Sequence, residues 1–379
     1  MGLLFAIGLG RPAAASLLAS IFLLVGVVSS VACPICHSAL EMTKGQKLDL
    51  SDHAVLAIPS GGPGRFRVVE TIKGKFGVGT ILVYDGLPAV EGGKPLVMLR
   101  NDPGQRWEIL GAIGAEYGPW LRQVAEADGV ERPERPRSSP WSFVPDMLTE
   151  AEWIKRIGVV VANLESSDPL AAEIAYDVIS RAPYSALRLL GPQLDAKRLS
   201  AWIDNPALAS RRSGYTLLLG LAGEQAEAEA LEEKIELAWS ARDADNLSAM
   251  LAADLELRGP ARVAWIEKMY LADHQRTLPE IRAALLALSV HGGADGKVSR
   301  KRVIEAYRNF IKVRSQMAAL VALELADWEA WDATADYVDI VRSEVVGDPA
   351  GQFAILSYLK SSPVAAGQAA LFARQNNPE

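Results

Sequence analysis

Glu131-Arg132-Pro133-Glu134-Arg135-Pro136-Arg137-Ser138-Ser139-Pro140-Trp141-Ser142-Phe143-Val144-Pro145 divides this chain. Prolines at 133, 136, 140 and 145 remove backbone donors and clash with a preceding helical turn, so no helix crosses the stretch. It reads as a linker or extended strap over 129–148, and Trp141 and Phe143 make the strap sticky enough to pack on a neighbour. The text changes character across it.

On the N-terminal side, short β-type runs alternate with glycine-rich breaks. Ala54-Val55-Leu56-Ala57-Ile58 stops at Pro59 and the turn Gly61-Gly62-Pro63-Gly64, and Phe66, Val68, Val69 and Ile72 lead to Lys73-Gly74. Ile81 to Tyr84, Leu96 to Leu99 and Trp107 to Leu110 complete five strands, and Tyr117 to Ala127 reads as a closing helix. Strands of this length and spacing predict a small OB-like antiparallel β-barrel over residues 48–128.

Beyond Thr149 the period is helical. Thr149-Glu150-Ala151-Glu152 reads as an N-terminal cap, and Trp153, Ile154, Ile157, Val160, Val161 and Leu164 follow at spacings of three and four. Further helices are predicted at Leu170–Ala182, from Pro183 to Gly191, Asp195–Ile203, Ala207–Ala222, Glu224–Arg242, Asn246–Arg258 and Pro260–Tyr270. Leu278–His291, Arg300–Leu325, Trp328–Val345 and Gln352–Leu359 complete the set. No strand intervenes and no strict period emerges, so 149–375 is expected to be an all-α, HEAT-like helical domain, with an ordinary globular bundle as the alternative. The fold class expected is α+β in two domains.

The first 32 residues have the layout of a secretory signal: Arg11, an apolar stretch from Ala13 to Val28, and the small residues Ser30-Val31-Ala32. An uncleaved membrane anchor and a lipid on Cys33 are the alternatives. The product is expected outside the cytoplasm, periplasmic or extracellular. The chain carries 39 Lys and Arg against 46 Asp and Glu, a formal charge of -7. Without a basic cluster this excludes nucleic acid as a partner, because phosphate binding draws its affinity from Lys and Arg.

Both cysteines lie in residues 33–47, in the string Cys33-Pro34-Ile35-Cys36-His37. Three chemistries fit it. Thioether bonds from Cys33 and Cys36 with His37 as iron ligand would make a covalent haem c site, its second ligand drawn from Met42, His53 or Met98. In an oxidising compartment Cys33 and Cys36 would instead close a local disulfide clip. Zinc or copper would accept the two thiolates, His37 and a free amino group. Thioredoxin-type exchange requires a buried strand before the first cysteine, and only the leader precedes it.

Other residues carry less. His274 and His291 read as helix-end residues, Arg300-Lys301-Arg302 as a solvated helix start, and the tryptophans at 202, 239, 265, 328 and 331 as core anchors. Ala294-Asp295-Gly296-Lys297 lacks the carboxylate ladder of a calcium loop. With no Gly-x-Ser-x-Gly string and no phosphate loop, no catalytic constellation is legible, and a non-enzymatic protein is expected.

The order of these features resembles a family of uncharacterised exported proteins of planctomycete-type bacteria. The phrases that carry the likeness are Cys33-Pro34-Ile35-Cys36, Asp52-His53-Ala54-Val55-Leu56-Ala57, Phe66-Arg67-Val68 and Lys73-Gly74. In the helical half they are Ala175-Tyr176-Asp177, Ala182-Pro183-Tyr184, Arg211 to Tyr215 leading into Leu219-Gly220-Leu221-Ala222-Gly223, and Asp327-Trp328. The resemblance implies a small polar residue at the place of His37, and so a structural Cys-Pro-x-Cys. The β-part is similar, more distantly, to netrin-like domains, which implies an OB-type barrel with Cys33 presented outward. The long-range cysteines of those domains are missing here. Together the readings point to a scaffold or binding module for another envelope protein, with a haem-carrying electron-transfer or haem-sensing protein as the alternative.

Overall fold

Apolar runs without alternation belong to strands covered on both faces, and this accounts for the centre of the sheet. In the computed structural model, which describes residues 35, 42–86, 93–101, 106–126, 148–293 and 296–365, five antiparallel strands stand in the order β3-β2-β1-β4-β5. They are β1 (His53–Pro59), β2 (Arg65–Lys73), β3 (Ile81–Val83), β4 (Leu96–Arg100) and β5 (Glu108–Ala112). The continuous runs of β1 and β4 are buried, whereas β2 and β3 alternate, Phe66, Val68 and Leu82 inward against Arg65, Arg67, Ile81 and Val83 outward.

The expected barrel is not closed. β3 and β5 are the two ends of the sheet and do not pair. One physical reason is that a whole face of the sheet is given to the helices. Ala54, Leu56, Ile72, Val97, Leu99 and Leu110 join a core that runs without interruption through the helical half to Tyr358. The other face holds a separate small cluster of Val55, Ala57, Phe66, Val68, Leu82, Leu96, Met98 and Trp107.

Helix α1 (Lys44–Leu50) precedes the sheet, started by a capping box in which Thr43 and Gln46 satisfy each other's backbone N–H groups. Its Asp49 is the main tie to the helical half. The carboxylate takes Arg181 Nη2 at 2.8 Å and Arg156 Nη2, and Asp49, Arg156 and Arg181 are 5%, 1% and 1% exposed. Burial alone pushes this carboxyl up, and the two guanidinium groups overcome it and hold the group below its ordinary value. After β5, α2 (Gly118–Glu126) returns along β2 with Arg122 on Glu70 at 2.7 Å.

The helical half opens with α3 (Glu150–Val160), capped by Thr149 and Glu152 as the sequence predicts, and α4 (Pro169–Arg181). Asp168 caps α4 and also accepts the Gly114 N–H at 3.0 Å and Lys94 Nζ at 2.9 Å, so one carboxylate joins sheet and helix. There follow α5 (Tyr184–Leu187), α6 (Ala196–Ile203), α7 (Arg212–Ala222), α8 (Gln225–Ala241), α9 (Leu247–Arg258) and α10 (Ala261–Ile266). The last are α11 (Leu278–Gly292), α12 (Arg300–Val313), α13 (Ala322–Asp327), α14 (Thr334–Ser343) and α15 (Pro349–Ser361). In the middle, α7, α9 and α11 pack side by side, nearly buried throughout, with α8 and α12 against them. Gly220 permits the close approach of α7 to α9, because a Cβ there would lie 2.6 Å from Ala253 Cα.

The long helix expected over 300–325 is broken. Arg314 leaves helical geometry at φ -131°, ψ 59°, and its guanidinium donates to the carbonyls of Leu271 and Asp273. Capping a neighbouring helix end takes precedence over local continuity at this residue, and a 3-10 segment over 315–321 follows. Among the described residues no helix is long and apolar enough to cross a membrane.

Candidate functional site

Gly259 stands at φ +78°, a left-handed turn that glycine takes without strain, and Pro260 follows at once. The turn folds α10 back on α9 and places Arg258 and Arg262 beside each other against the start of α8. Between these helices lies a groove of about 720 Å³ whose walls include Gln225, Leu257, Arg258, Arg262, Trp265 and Lys297.

Its charged groups form a frame. Arg258 Nε lies 3.0 Å from the fully buried Asp254, and Arg258 Nη2 donates to Glu232 at 2.7 Å and to the Ala228 carbonyl at 3.0 Å. Arg262 donates to the other Asp254 oxygen, lies 3.3 Å from Glu232, and stacks 3.8 Å from the Trp265 ring centroid. Burial pushes the Asp254 carboxyl above its ordinary value in spite of both arginines, and Glu232 adds to the rise.

A second set of groups stands beside the frame. Lys297 Nζ donates to the Glu256 carbonyl at 2.6 Å, and the Glu256 carboxylate takes the Tyr184 hydroxyl at 3.1 Å and Arg188 Nη2 at 3.4 Å. His291 lies against Tyr184, its Nε2 2.8 Å from the Ala252 carbonyl and its Nδ1 3.8 Å from Glu256. Burial pushes the imidazole below its ordinary value, so the ring is neutral at pH 7, and the carbonyl contact assigns its proton to Nε2. His291 stands in the last turn of α11, as the sequence predicts, and is also a buried brace between α11 and α9, while exposed His274 lies in the turn before α11.

Of the residues singled out from the sequence, Cys33, Cys36 and His37 lie outside the described residues, as does the strap over 129–147. Met42 is exposed just ahead of α1. His53 and Met98 are diagonal neighbours on the outer face of the sheet, since His53 pairs with Arg100 and Val55 with Met98. Met98 is fully buried, and the His53 ring is covered by Phe76, edge to face at 4.8 Å, and by Gly74, where a Cβ would collide with the imidazole. Among the described residues no three His, Cys, Asp or Glu side chains gather to hold a metal ion.

The tryptophans at 202, 239, 265, 328 and 331 are half-buried and pack on the core, and four carry an arginine on a ring face. Arg198 covers Trp202, Arg276 covers Trp239, Arg262 covers Trp265 and Arg300 covers Trp328, at 5.0, 4.4, 3.8 and 5.7 Å. Sequence reasoning missed this second layer, although the spacings Arg198 to Trp202 and Arg262 to Trp265 each fit one helical turn. Arg300 and Lys301 are exposed, as a solvated helix start predicts, although Arg300 also donates to the Gly292 carbonyl and the half-buried Arg302 pairs with Glu267. Compared with known protein families, curated proteins and solved structures, the chain matches none.

Proposed function

We propose that this chain is an exported, non-catalytic binding module of the cell envelope, and that its helical half presents the groove between α8, α9 and α10 to a protein partner. The observation that carries the reading is the state of the groove's ionisable groups. Arg258, Arg262, Asp254 and Glu232 hold one another in a neutral frame, so these four ionisable groups of that wall are spent on one another. Trp265 remains on the groove as an aromatic anchor, with Glu224, Gln225 and Lys297 as polar groups around it, an arrangement that suits a protein surface. The row of α7, α9 and α11 with α8 and α12 against it supports a degenerate HEAT-like array beside the open five-stranded sheet. On this reading Cys33 and Cys36 form a structural clip.

A photo-crosslinking amino acid at position 265, expressed in cells, tests the proposal against the same group at position 237. Leu237 is 70% exposed and lies on the opposite side of α8 from Ala228. One discrete protein adduct from position 265 and none from 237 is the expected result, and equal patterns from the two positions would remove the groove from consideration. Sharp haem bands in the reduced spectrum of the purified protein, lost in Cys36→Ser, would replace the binding module with the haem-carrying alternative.

A further inference from the structure

The sheet ends at β3 in an edge that carries both backbone and charge for a missing neighbour. Thr80 accepts the Val68 N–H at 2.9 Å and Tyr84 donates to the Gly64 carbonyl at 2.8 Å, while Leu82 is the ladder partner of Phe66. Backbone groups alternate along an antiparallel strand, so Ile81 and Val83 turn their N–H and C=O groups away from β2. Among the described residues nothing pairs with them. Their side chains are 40% and 66% exposed. A row of unpaired groups beside exposed β-branched residues is the template to which an extended segment adds.

Behind the edge, in the gap left where β3 and β5 fail to meet, lies a cleft of about 300 Å³ whose lining includes Phe76, Leu82, Arg100, Arg106 and Trp107. Phe76 and Trp107 meet edge to face at 5.0 Å, and Arg100 stands 5.5 and 5.9 Å from their ring centroids. Arg65 and Arg67, exposed on β2, share a sheet face with Val83 and Ile81, their ladder partners. Four arginines therefore stand around the edge, Arg65 and Arg67 on one sheet face and Arg100 and Arg106 at the cleft, where Arg106 lies 3.4 Å from the acidic Asp85, on a chain whose formal charge is -7.

We propose that β3 is the docking edge for an extended acidic segment of a partner protein, which adds as a further strand and sets alternate apolar side chains over the cleft of Phe76 and Trp107. Charge complementarity selects this occupant. A second copy of the chain pairing β3 with β3 would bring the same arginines face to face, which repels. The site is independent of the helical groove.

Fluorescence anisotropy of a labelled peptide Val-Glu-Val-Glu-Val-Glu-Val, titrated with the purified full chain, tests this. The expected result is saturable binding that weakens with salt and slows hydrogen exchange at the Ile81 and Val83 amides. Val83→Pro removes an outward donor and spares the β2 ladder, and it is expected to weaken binding about tenfold, as is Arg65→Glu combined with Arg67→Glu. Should Val83→Pro disturb the circular dichroism, Val83→Glu keeps the donor, places a repelling carboxylate at the same point and is expected to weaken binding likewise. The groove variant Lys297→Glu should bind the peptide as the native chain does. No saturable binding at low salt, equal binding of the lysine-for-glutamate peptide, edge variants that bind like the native chain, or loss of binding in Lys297→Glu alone would each overturn the assignment.

Discussion

Asp49 and Asp254 each sit between two arginines, yet one carboxyl is held below its ordinary value and the other is pushed above it. Their surroundings explain the difference. Arg156 and Arg181 reach Asp49 across 107 and 132 residues of sequence, from α3 and α4 to α1, and both are almost wholly buried. Arg258 and Arg262 lie four and eight residues from Asp254 and are shared with a second acid, Glu232. A charge cluster that closes a long-range contact turns two arginines onto one carboxylate and fixes the architecture, even though Arg181 also faces Asp177. One assembled locally, open to a groove, divides its arginines between two carboxylates and shapes a surface.

The largest expected effect follows from the first cluster. Asp49→Asn leaves two buried guanidinium groups without their carboxylate, and removal of one partner from such a site costs about 3–5 kcal/mol. Urea unfolding of the native and variant chains measures it. The loss is expected with faster hydrogen exchange in α1, since the Asp49 carboxylate is its tie to Arg156 and Arg181. A cost below about 1 kcal/mol would place Asp49 among surface ion pairs and dissolve the contrast.

Asp254→Asn is the matched experiment with the smaller outcome. Glu232 still faces both Arg258 and Arg262 in the variant, and an uncharged amide relieves the burial that opposes ionisation at this position. The expected cost is about 1 kcal/mol or less by the same unfolding measurement. A loss as large as that of Asp49→Asn would show that the frame bears on the fold and does more than line the groove.

Local patterns announced the elements, and distance hid what joins them. The five strands, the Thr149 cap and the Asp168 start of α4 are legible because each depends on a few adjacent residues. Helix α1 was missed: the spacing Thr43 to Gln46 is its signal, but a seven-residue helix that opens on Lys44-Gly45 reads as polar loop. The failure of β3 and β5 to meet depends on strand register across the sheet and on the helices that claim one face, neither of which a single run encodes. The break at Arg314 has no local mark, because its cause lies at the carbonyls of Leu271 and Asp273. At the groove, Arg258 and Arg262 stand on two helices parted by Gly259-Pro260, so no helical period marked them as a pair, and Glu232 and Lys297 come to the same groove from other elements.

The subtlest test of the contrast is the pH dependence of stability. Asp49 has a folded value below its ordinary 3.8, so its contribution is complete above that value and is lost as pH falls through the lower folded value. Asp254 has a folded value above 3.8, so the folded state takes up this proton first, and stability gained at low pH is lost as pH rises through the folded value. The two windows lie on opposite sides of 3.8 and their slopes have opposite signs, each at most about 1.4 kcal/mol per pH unit for one proton. Unfolding free energies of the native chain minus those of Asp49→Asn should therefore shrink with acid below that point. The native chain minus Asp254→Asn should rise as pH falls toward it from neutrality. Slopes of the same sign would mean that Glu232 leaves Asp254 as well compensated as Asp49, and the division of arginines between two acids would no longer distinguish groove from lock.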